Sequence, residues 1–340
     1  MLRKFGTALV VVGMVALGAA AQGLINAGGA TFPFPMYSKW FNDYKAKTGV
    51  AINYQSQGSG FGVQQLTANT IDFGASDYSL TDVQIKDFTD KRGMGVLHFP
   101  TVLGADVPTY NLPDVTATLN FTPEALAGIF LGKITKWNDP ELVKANPGVN
   151  LPKNDIVVVH REENSGTTFI WTDYLAKVSP EWEKKVGRGA GVNWPTGLGA
   201  KGNEAVAGQI KNTKYSMGYV ELTYVLQNKM PNGKVKNADG QFIEASLASV
   251  TAAAAATAKT MPEDFRVSIT NAPGKGAYPI SSFTWILVPE KIADAGKKKA
   301  ITDFLTWMLK DGQTMTGPLS YAPLPKEVVA KELKQIAKIK

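Results

Sequence analysis

The sequence contains no cysteine and only two histidines, His98 and His160. The lack of cysteine excludes disulfides, thiolate metal sites, cysteine nucleophiles and a lipid attached to an N-terminal cysteine. Charged residues are sparse, at 19% of the chain against 44% hydrophobic residues, and this composition is that of a folded protein rather than a disordered one. Because 340 residues exceed what one core usually organises, we expect about two domains.

Long apolar runs are confined to the N-terminus. Arg3 and Lys4 precede the almost wholly apolar stretch from Ala8 to Ala21, which ends in alanines before Gln22. This pattern predicts a secretory signal peptide over residues 1–21, cleaved before Gln22. An uncleaved anchor helix is the alternative, but the apolar stretch is short for a membrane span, which needs roughly 18 residues or more. We therefore expect a soluble, non-lipidated protein outside the cytoplasm and leave residues 1–21 out of the fold.

The net charge of +7 falls to +5 without Arg3 and Lys4, since 34 basic residues then face 29 acidic ones. This excess favours an anionic partner only weakly, because several lysines lie in the segment after Lys297, and residues 326–340 are expected to form a solvated helix. No block of basic residues interleaved with aromatic ones is present, so we predict no nucleic-acid binding.

Helix and strand patterns alternate along the chain. Aromatic residues at helical spacing between Tyr37 and Tyr44 predict a helix that Gly49 ends, and apolar runs at 71–77 and 157–159 predict buried strands. Further helices are predicted near 123–130, 203–210, 252–258 and 301–308, and further strands near 50–54, 218–220 and 282–288. This alternation predicts an α/β protein whose largely parallel sheets are covered by helices.

Glycine and small hydroxyl residues stand in front of three predicted helices, at 28–33, 58–60 and 164–167. The first N–H groups of a helix lack intrahelical partners and carry part of the positive end of the helix dipole, so such an end suits an anion. Serine and threonine are also ordinary N-caps, so one such start proves little. The recurrence, together with Arg161 beside the third start, predicts an anion site if the fold brings the three together.

Motifs for catalysis are absent from the sequence. It has no H-E-x-x-H, no G-x-x-x-x-G-K-[ST] and no G-x-S-x-G, so we predict no metal site, no cofactor and no catalytic residue. His160 lies near Ser165 in the sequence, but no third partner is evident. A secreted serine-type hydrolase of phosphate esters or acyl groups that uses Ser165 is the alternative function.

Several segments together resemble the periplasmic phosphate-binding protein of the high-affinity phosphate ABC transporter. In chain order they are AGGATFPFPMYSKW, YQSQGSGFGVQQL, ANTIDFGASDYSL, LGKITKWNDP, VVVHREENSGTTF, GLGAKGNEAVAG, SMGYVE and YPISSFTWIL. The resemblance implies a two-lobed, type II periplasmic-binding-protein fold with mixed sheets flanked by helices and a two-strand hinge. Lobe I would comprise residues 22–101 and 282–340 with the C-terminal tail, and lobe II residues 102–281.

The resemblance also implies a ligand set. The predicted phosphate ligands are Thr31, Phe32, Ser59, Asp77, Arg161, Ser165, Gly166 and Thr167. Glu163 stands where the family has an acid that pairs with the arginine, although the family acid is aspartate, which is one methylene shorter. The implied function is capture of inorganic phosphate in the periplasm by a monomer that delivers it to a membrane permease.

Asp77 bears on which anion is expected. A carboxylate repels an anion unless the ligand has a proton to donate, and phosphate has one at neutral pH whereas sulfate has none. The residues therefore favour phosphate over sulfate. Arsenate shares the shape and the proton of phosphate, so binding of another oxyanion, arsenate or sulfate, is the nearer alternative.

Overall fold

The computed structural model describes residues 24–258 and 261–340, and the predicted signal peptide at 1–21 lies outside these ranges. The helices are α1 (Phe34–Thr48), α2 (Ser59–Thr67), α3 (Asp82–Arg92), α4 (Pro123–Phe130), α5 (Pro140–Ala145), α6 (Gly166–Val178), α7 (Pro180–Lys185), α8 (Gly202–Asn212), α9 (Leu222–Gln227), α10 (Leu247–Ala258), α11 (Ala295–Lys310) and α12 (Lys326–Ile336). The strands are β1 (Ile25–Gly29), β2 (Ile52–Ser56), β3 (Phe73–Ser76), β4 (Val96–Tyr110), β5 (Asn120–Phe121), β6 (Val157–Arg161), β7 (Leu198–Ala200), β8 (Ser216–Glu221), β9 (Lys234–Lys236), β10 (Phe242–Ile243) and β11 (Ser281–Pro289). None of the helices in this part of the chain combines the length and apolar character that crossing a bilayer requires.

The main sheet is mixed. Its 8 strands follow the order β2-β1-β3-β11-β4-β8-β6-β7, and a 3-stranded sheet has the order β10-β9-β5. Pairing is parallel within β2-β1-β3 and within β8-β6-β7, as the alternating pattern predicts. The centre is antiparallel, because the chain leaves one side of the sheet along β4 and returns along β11. We call β2-β1-β3-β11 the first strand group and β8-β6-β7 the second.

Strand β4 lies between the two strand groups and pairs with both. Its residues from Val96 to Ala105 pair with β11, whereas Asp106 to Tyr110 pair with β8. Asp106 lies opposite Glu221 of β8, and both side chains are fully buried. The lobe boundaries expected at 101 and 281 stay a prediction. The strand that pairs with β4 changes from β11 to β8 between Ala105 and Asp106, close to the first of these boundaries.

Aromatic packing explains where the first helix lies. Tyr37, Trp40, Phe41 and Tyr44 of α1 are buried, and Gly49 ends the helix in the left-handed region at φ 79°. The ring of Phe304 lies 5.5 Å from that of Phe41, measured between centroids, so α11 covers the same face. Burial of such rings removes a large apolar area from water and fixes α1 against the first strand group.

The loop after β1 is held close to β3. Gly29 has φ +140°, and a Cβ atom on it would lie 2.1 Å from the carbonyl oxygen of Ala75, so no other residue fits there. The Ala30 N–H donates to the same oxygen at 3.0 Å. As a result, the residues that follow β1 and β3 lie side by side at one edge of the sheet.

The C-terminal segment differs from the prediction of a solvated helix. Residues 326–336 do form a helix, α12, but Val328, Glu332 and Gln335 are buried. Their spacing puts them on one helix face, and Gln335 Nε2 donates to the His98 carbonyl at 2.7 Å. The lysines mark the exposed face, while the other face packs on the protein.

Candidate functional site

Two of the predicted anion-binding helix starts contact each other directly. The Gly60 N–H, in the first turn of α2, donates to the Asn164 carbonyl in front of α6 at 2.9 Å. A Cβ atom on Gly166 would lie 2.3 Å from Ser59 Oγ and 2.5 Å from Asp77 Oδ2. The first turns of α2 and α6 therefore meet beside Asp77. Helix α2 follows β2 of the first strand group, and α6 follows β6 of the second.

The third predicted start, at Thr31, joins them through a residue that the sequence prediction missed. Asn203 is fully buried at the start of α8, and its amide Nδ2 donates to Thr31 Oγ1 at 2.9 Å and to Thr167 Oγ1 at 3.0 Å. The amide oxygen accepts the Glu221 N–H at 3.0 Å. One side chain thus bridges the loop after β1 and the start of α6.

Arg161 supplies a cation to the same place. Its side chain is buried, and Nη1 donates to Thr167 Oγ1 at 3.0 Å. Nε donates to Glu163 Oε1 at 3.0 Å, and Nη2 contacts the same oxygen. The Gly202 N–H also donates to Glu163 Oε1 at 3.0 Å. The longer acid therefore does reach the arginine, with one carboxylate oxygen serving both nitrogens instead of a two-oxygen fork.

Asp77 is the acceptor in this donor-rich site. Its residue exposure is 1%, Thr284 Oγ1 donates to Oδ1 at 2.7 Å, and Ser59 Oγ donates to Oδ2 at 3.3 Å. Burial raises the pKa of Asp77 to about 7, although the Thr284 hydroxyl, the Arg161 charge and the Ser59 hydroxyl each lower it. Near neutral pH this carboxyl can therefore exist with or without its proton.

The hydroxyl groups of Thr31 and Thr167 are set to donate. Thr167 Oγ1 accepts from Arg161 and from Asn203, and Thr31 Oγ1 accepts from Asn203 Nδ2 and, at 3.4 Å, from the Asn203 N–H. A hydroxyl has two acceptor lone pairs and one proton, so each threonine keeps its proton for another acceptor.

Backbone donors complete the site. Ser165 caps α6, with its Oγ accepting the Thr168 N–H at 3.2 Å, while the N–H groups of Gly166 and Thr167 occupy the first turn, where no intrahelical acceptor exists. Ser59 is the first residue of α2, after Gly58 at the N-cap position, so its N–H also lies in a first turn. The ring of Phe32 packs against Gly104, and the Phe32 carbonyl accepts from Tyr321 OH at 2.6 Å. The Phe32 N–H is therefore the polar group of this residue that can bind a ligand.

A serine active site finds no support in the described part of the chain. There, no histidine, lysine or carboxylate forms a hydrogen bond with Ser165 Oγ, which is engaged as the cap of α6. The His160 ring stacks on Trp194 with centroids 4.8 Å apart, and burial lowers its pKa. Within residues 24–258 and 261–340, no group of three or more His, Cys, Asp or Glu side chains could hold a metal ion.

Sequence reasoning missed Asn203 and Thr284 as members of the site. Asn203 lies in the first turn of α8 directly after Gly202, whose φ is +82°, so a glycine followed by a polar residue at a helix start was the available signal. Thr284 lies inside the apolar strand β11 and carries no local signal. Its contact with Asp77 arises only from the pairing of β11 with β3.

Aromatic rings close one side of the site. Tyr78, from the first strand group, stacks on Phe169 of α6 with centroids 4.9 Å apart. A cavity of about 70 Å³ lies behind them, and a larger one of about 300 Å³ borders Thr31 and Glu163 on the opposite side. The site is thus nearly enclosed by contacts between the two strand groups.

Sequence comparison identifies relatives over most of the chain. A family model described as a PBP superfamily domain matches residues 15–311. The phosphate-binding protein PstS of Xylella fastidiosa (strain Temecula1) is 47% identical over 306 residues, which cover 90% of this chain and 82% of that protein. The protein of the same name from Pasteurella multocida (strain Pm70) is 45% identical over 308 residues, covering 90% of this chain and 88% of that protein.

Solved structures share the fold at lower identity. A high-affinity periplasmic phosphate-binding protein bound with phosphate at pH 8.5 matches with a TM-score of 0.71 and 20% identity, covering 91% of this chain and 92% of that chain. A phosphate-binding protein from Stenotrophomonas maltophilia matches with a TM-score of 0.68 and 18% identity, covering 92% and 93%. The predicted periplasmic-binding-protein fold, with mixed sheets flanked by helices, is confirmed. The chain belongs to the PBP superfamily and, within it, to the family of phosphate-binding proteins PstS.

Proposed function

We propose that this protein captures inorganic phosphate between two lobes outside the cytoplasm, without catalysis, and delivers it to the permease of an ABC transporter. The observation that carries the proposal is the convergence of helix starts, Arg161 and the buried Asp77 on one enclosed site. The names of the PstS relatives and the phosphate in a structural neighbour agree with it.

The donor set suits a small, multiply charged oxyanion. A buried anion loses hydration worth many kcal/mol, and only a full set of donors replaces that hydration. Fixed N–H groups at the starts of α2 and α6 and the threonine hydroxyls supply donors without adding charge. Arg161 adds the full cation, and Glu163 fixes the orientation of its guanidinium.

Asp77 selects for an anion that carries a proton. When Asp77 is ionised, the P–OH group of phosphate can donate to it, whereas sulfate has no proton to donate. The nearby Thr284 and Ser59 hydroxyls hold the carboxyl in place. On this reasoning arsenate would also bind, because it retains a proton.

Each predicted ligand then has a role. Hydroxyl donors would come from Thr31, Ser59, Ser165 and Thr167, and backbone donors from Phe32, Ser59, Gly166 and Thr167. Asp77 would accept, Arg161 would neutralise charge, and Glu163 would support Arg161. Ser59 has the weakest case as a side-chain donor, since its hydroxyl already donates to Asp77 Oδ2 at 3.3 Å. Ser165 Oγ accepts the Thr168 N–H and keeps its proton for phosphate.

The lobes are assigned as residues 22–101 with 282–340, and residues 102–281. The partner change of β4 between Ala105 and Asp106, and the start of β11 at Ser281, support a two-strand hinge between them. A hinge lets a ligand that prefers the closed form shift the protein toward it. A monomer in the periplasm, exported by a signal peptide at 1–21, is part of the same proposal.

Isothermal titration of the chain from Gln22 onward with phosphate, arsenate and sulfate tests the proposal. We expect tight binding of phosphate and arsenate and much weaker binding of sulfate at about pH 9, where Asp77, with a pKa of about 7, is ionised. Asp77→Asn should relax the preference, while Asp239→Asn, at an exposed site, should not. No phosphate binding, equal sulfate binding, or release of phosphate from a model ester would contradict the proposal.

A further inference from the structure

Two carbonyl groups of the loop after β1, those of Thr31 and Phe32, each accept a hydrogen bond from a tyrosine far along the chain. Tyr224 OH donates to the Thr31 oxygen at 2.5 Å, and Tyr321 OH donates to the Phe32 oxygen at 2.6 Å. Both tyrosines are buried, with exposures of 5% and 0%. Each hydroxyl also has a longer contact, from Tyr224 to Glu204 Oε1 at 3.1 Å and from Tyr321 to Glu221 Oε2 at 3.1 Å. A carbonyl oxygen can only accept, and its contact is the shorter of the two in each case, so each tyrosine directs its single proton mainly at this loop.

The Thr31 carbonyl and the Phe32 N–H belong to one planar peptide unit. Tyr224 and the Phe34 N–H, at 3.1 Å, both donate to that carbonyl. Hydrogen bonds to the oxygen of a peptide unit polarise it and make its N–H a better donor. Tyr224 therefore both orients and strengthens the N–H that phosphate is proposed to accept.

The two tyrosines reach the loop from different parts of the fold. Tyr224 lies on α9, directly after β8 of the second strand group, so its bond to Thr31 crosses the cleft. Tyr321 precedes Ala322, whose N–H and carbonyl pair with Leu103 in the part of β4 that joins the first strand group. Opening the cleft would break the Tyr224 bond and keep the Tyr321 bond.

Hydrogen-bond counting also locates a proton on Glu221. Glu221 Oε2 lies 3.1 Å from Tyr321 OH and accepts the Thr223 N–H at 2.9 Å. The shorter contact of Tyr321 OH gives its proton to Phe32, so a proton on Glu221 would let Oε2 donate to Tyr321 OH and make this contact a second hydrogen bond. Burial raises the pKa of Glu221 well above the usual range, and the nearby Asp77 raises it further.

The surroundings of Glu221 agree with a neutral carboxyl. Asp106 lies directly opposite on β4, fully buried, and two ionised carboxylates facing each other there would repel. The groups that face Glu221 are the hydroxyls of Tyr321, Thr223 and Tyr224 and the carboxyls of Asp77 and Asp106. None of these is a cation that would favour the ionised form.

We propose that Tyr224 and Tyr321 are positioning residues for phosphate: Tyr321 fixes the Thr31–Phe32 loop in the open and closed forms, with protonated Glu221 as its partner in the closed form, and Tyr224 fixes the loop on closure. The inference rests on the proposed function. It assigns to Tyr224 a bond that forms with lobe closure and so slows phosphate release without touching the ligand.

Stopped-flow and titration measurements with inorganic phosphate on Tyr224→Phe test the inference. We expect about a tenfold weaker affinity, nearly all of it as faster dissociation, with the thermal midpoint of the ligand-free protein unchanged. Tyr174→Phe is the matched control, because its buried hydroxyl has no partner among the described residues. An unchanged dissociation rate in Tyr224→Phe, or an equal change in Tyr174→Phe, overturns the role of Tyr224.

Two further variants test the roles of Tyr321 and Glu221. Tyr321→Phe should weaken phosphate binding and also lower the thermal midpoint of the ligand-free protein. Glu221→Gln keeps a neutral donor of similar shape, so affinity should stay within about twofold, and a loss of about tenfold or more would overturn the protonated state. If the wild-type protein does not bind phosphate, the proposed function fails first; if it binds and both Tyr224→Phe and Tyr321→Phe behave like it, only this inference fails.

Discussion

Sulfate binding should depend on the protonation of Asp77. Burial raises the pKa of this carboxyl to about 7, so it carries a proton below that pH and loses it above. A protonated Asp77 can donate to sulfate, whereas the ionised form repels it. Sulfate affinity should therefore be highest in acid and fall as the pH rises through about 7.

The magnitude follows from the protonated fraction. With a pKa of about 7, the carboxyl is almost fully protonated at about pH 5 and about one hundredth protonated at about pH 9. The association constant for sulfate should fall about 100-fold over this range, or about 2.7 kcal/mol. Phosphate supplies its own proton when Asp77 is ionised, so its affinity should change less and the preference for phosphate should grow with pH.

Titration calorimetry with sulfate at constant ionic strength, at pH steps from about 5 to about 9, measures this directly. Asp77→Asn should bind sulfate with little pH dependence, because the amide donates at every pH. Asp239→Asn, altered at an exposed site, should keep the wild-type slope. A flat wild-type profile, or the same slope in Asp77→Asn, would refute the reasoning.

Three other changes have expected outcomes. Arg161→Ala should weaken phosphate binding by at least about 100-fold in calorimetry, because the anion would lose the buried Arg161 charge while Glu163 lost its partner beside it, and a loss below about tenfold would contradict this. Gly166→Ala places a Cβ atom 2.3 Å from Ser59 Oγ, so small-angle scattering should show no phosphate-induced compaction although the melting midpoint is kept. Burial raises the pKa of Glu332, so the folded protein keeps a proton that the unfolded chain releases, and the wild type should lose stability as the pH rises. Glu332→Gln should abolish this loss. In thermal unfolding the variant should be more stable than the wild type at about pH 9 and similar to it at about pH 4.

Local patterns in the sequence were enough to predict most elements. The helix of aromatic residues at α1, the helix near 123–130 and the buried strand at 157–159 are all present as expected. The helix starts at Ser59 and Gly166 could be recognised from capping chemistry, because the signal lies within a few residues of each start. The assignment of the ligands, by contrast, came from resemblance to a family.

Contacts between distant segments could not be predicted. Asn203, Tyr224 and Tyr321 act on Thr31 and Phe32 from far along the chain, and nothing in their own neighbourhoods points to that partner. The antiparallel centre of the sheet depends on where β11 returns, which periodicity does not encode. The buried face of α12 was missed because its lysines dominate the local composition.

The length and position of strand β4 suggest how ligand occupancy of the site could reach the distant surface of the protein. One strand of 15 residues runs through both strand groups, and an extended backbone resists stretching but changes its twist readily. Under the proposed two-strand hinge, the two groups would move by a change of angle about β4 and β11 rather than by translation. A membrane partner that contacts both proposed lobes far from the cleft would sense ligand occupancy as a change in that angle. The displacement of each lobe surface grows with its distance from the hinge axis, so the partner need not contact phosphate.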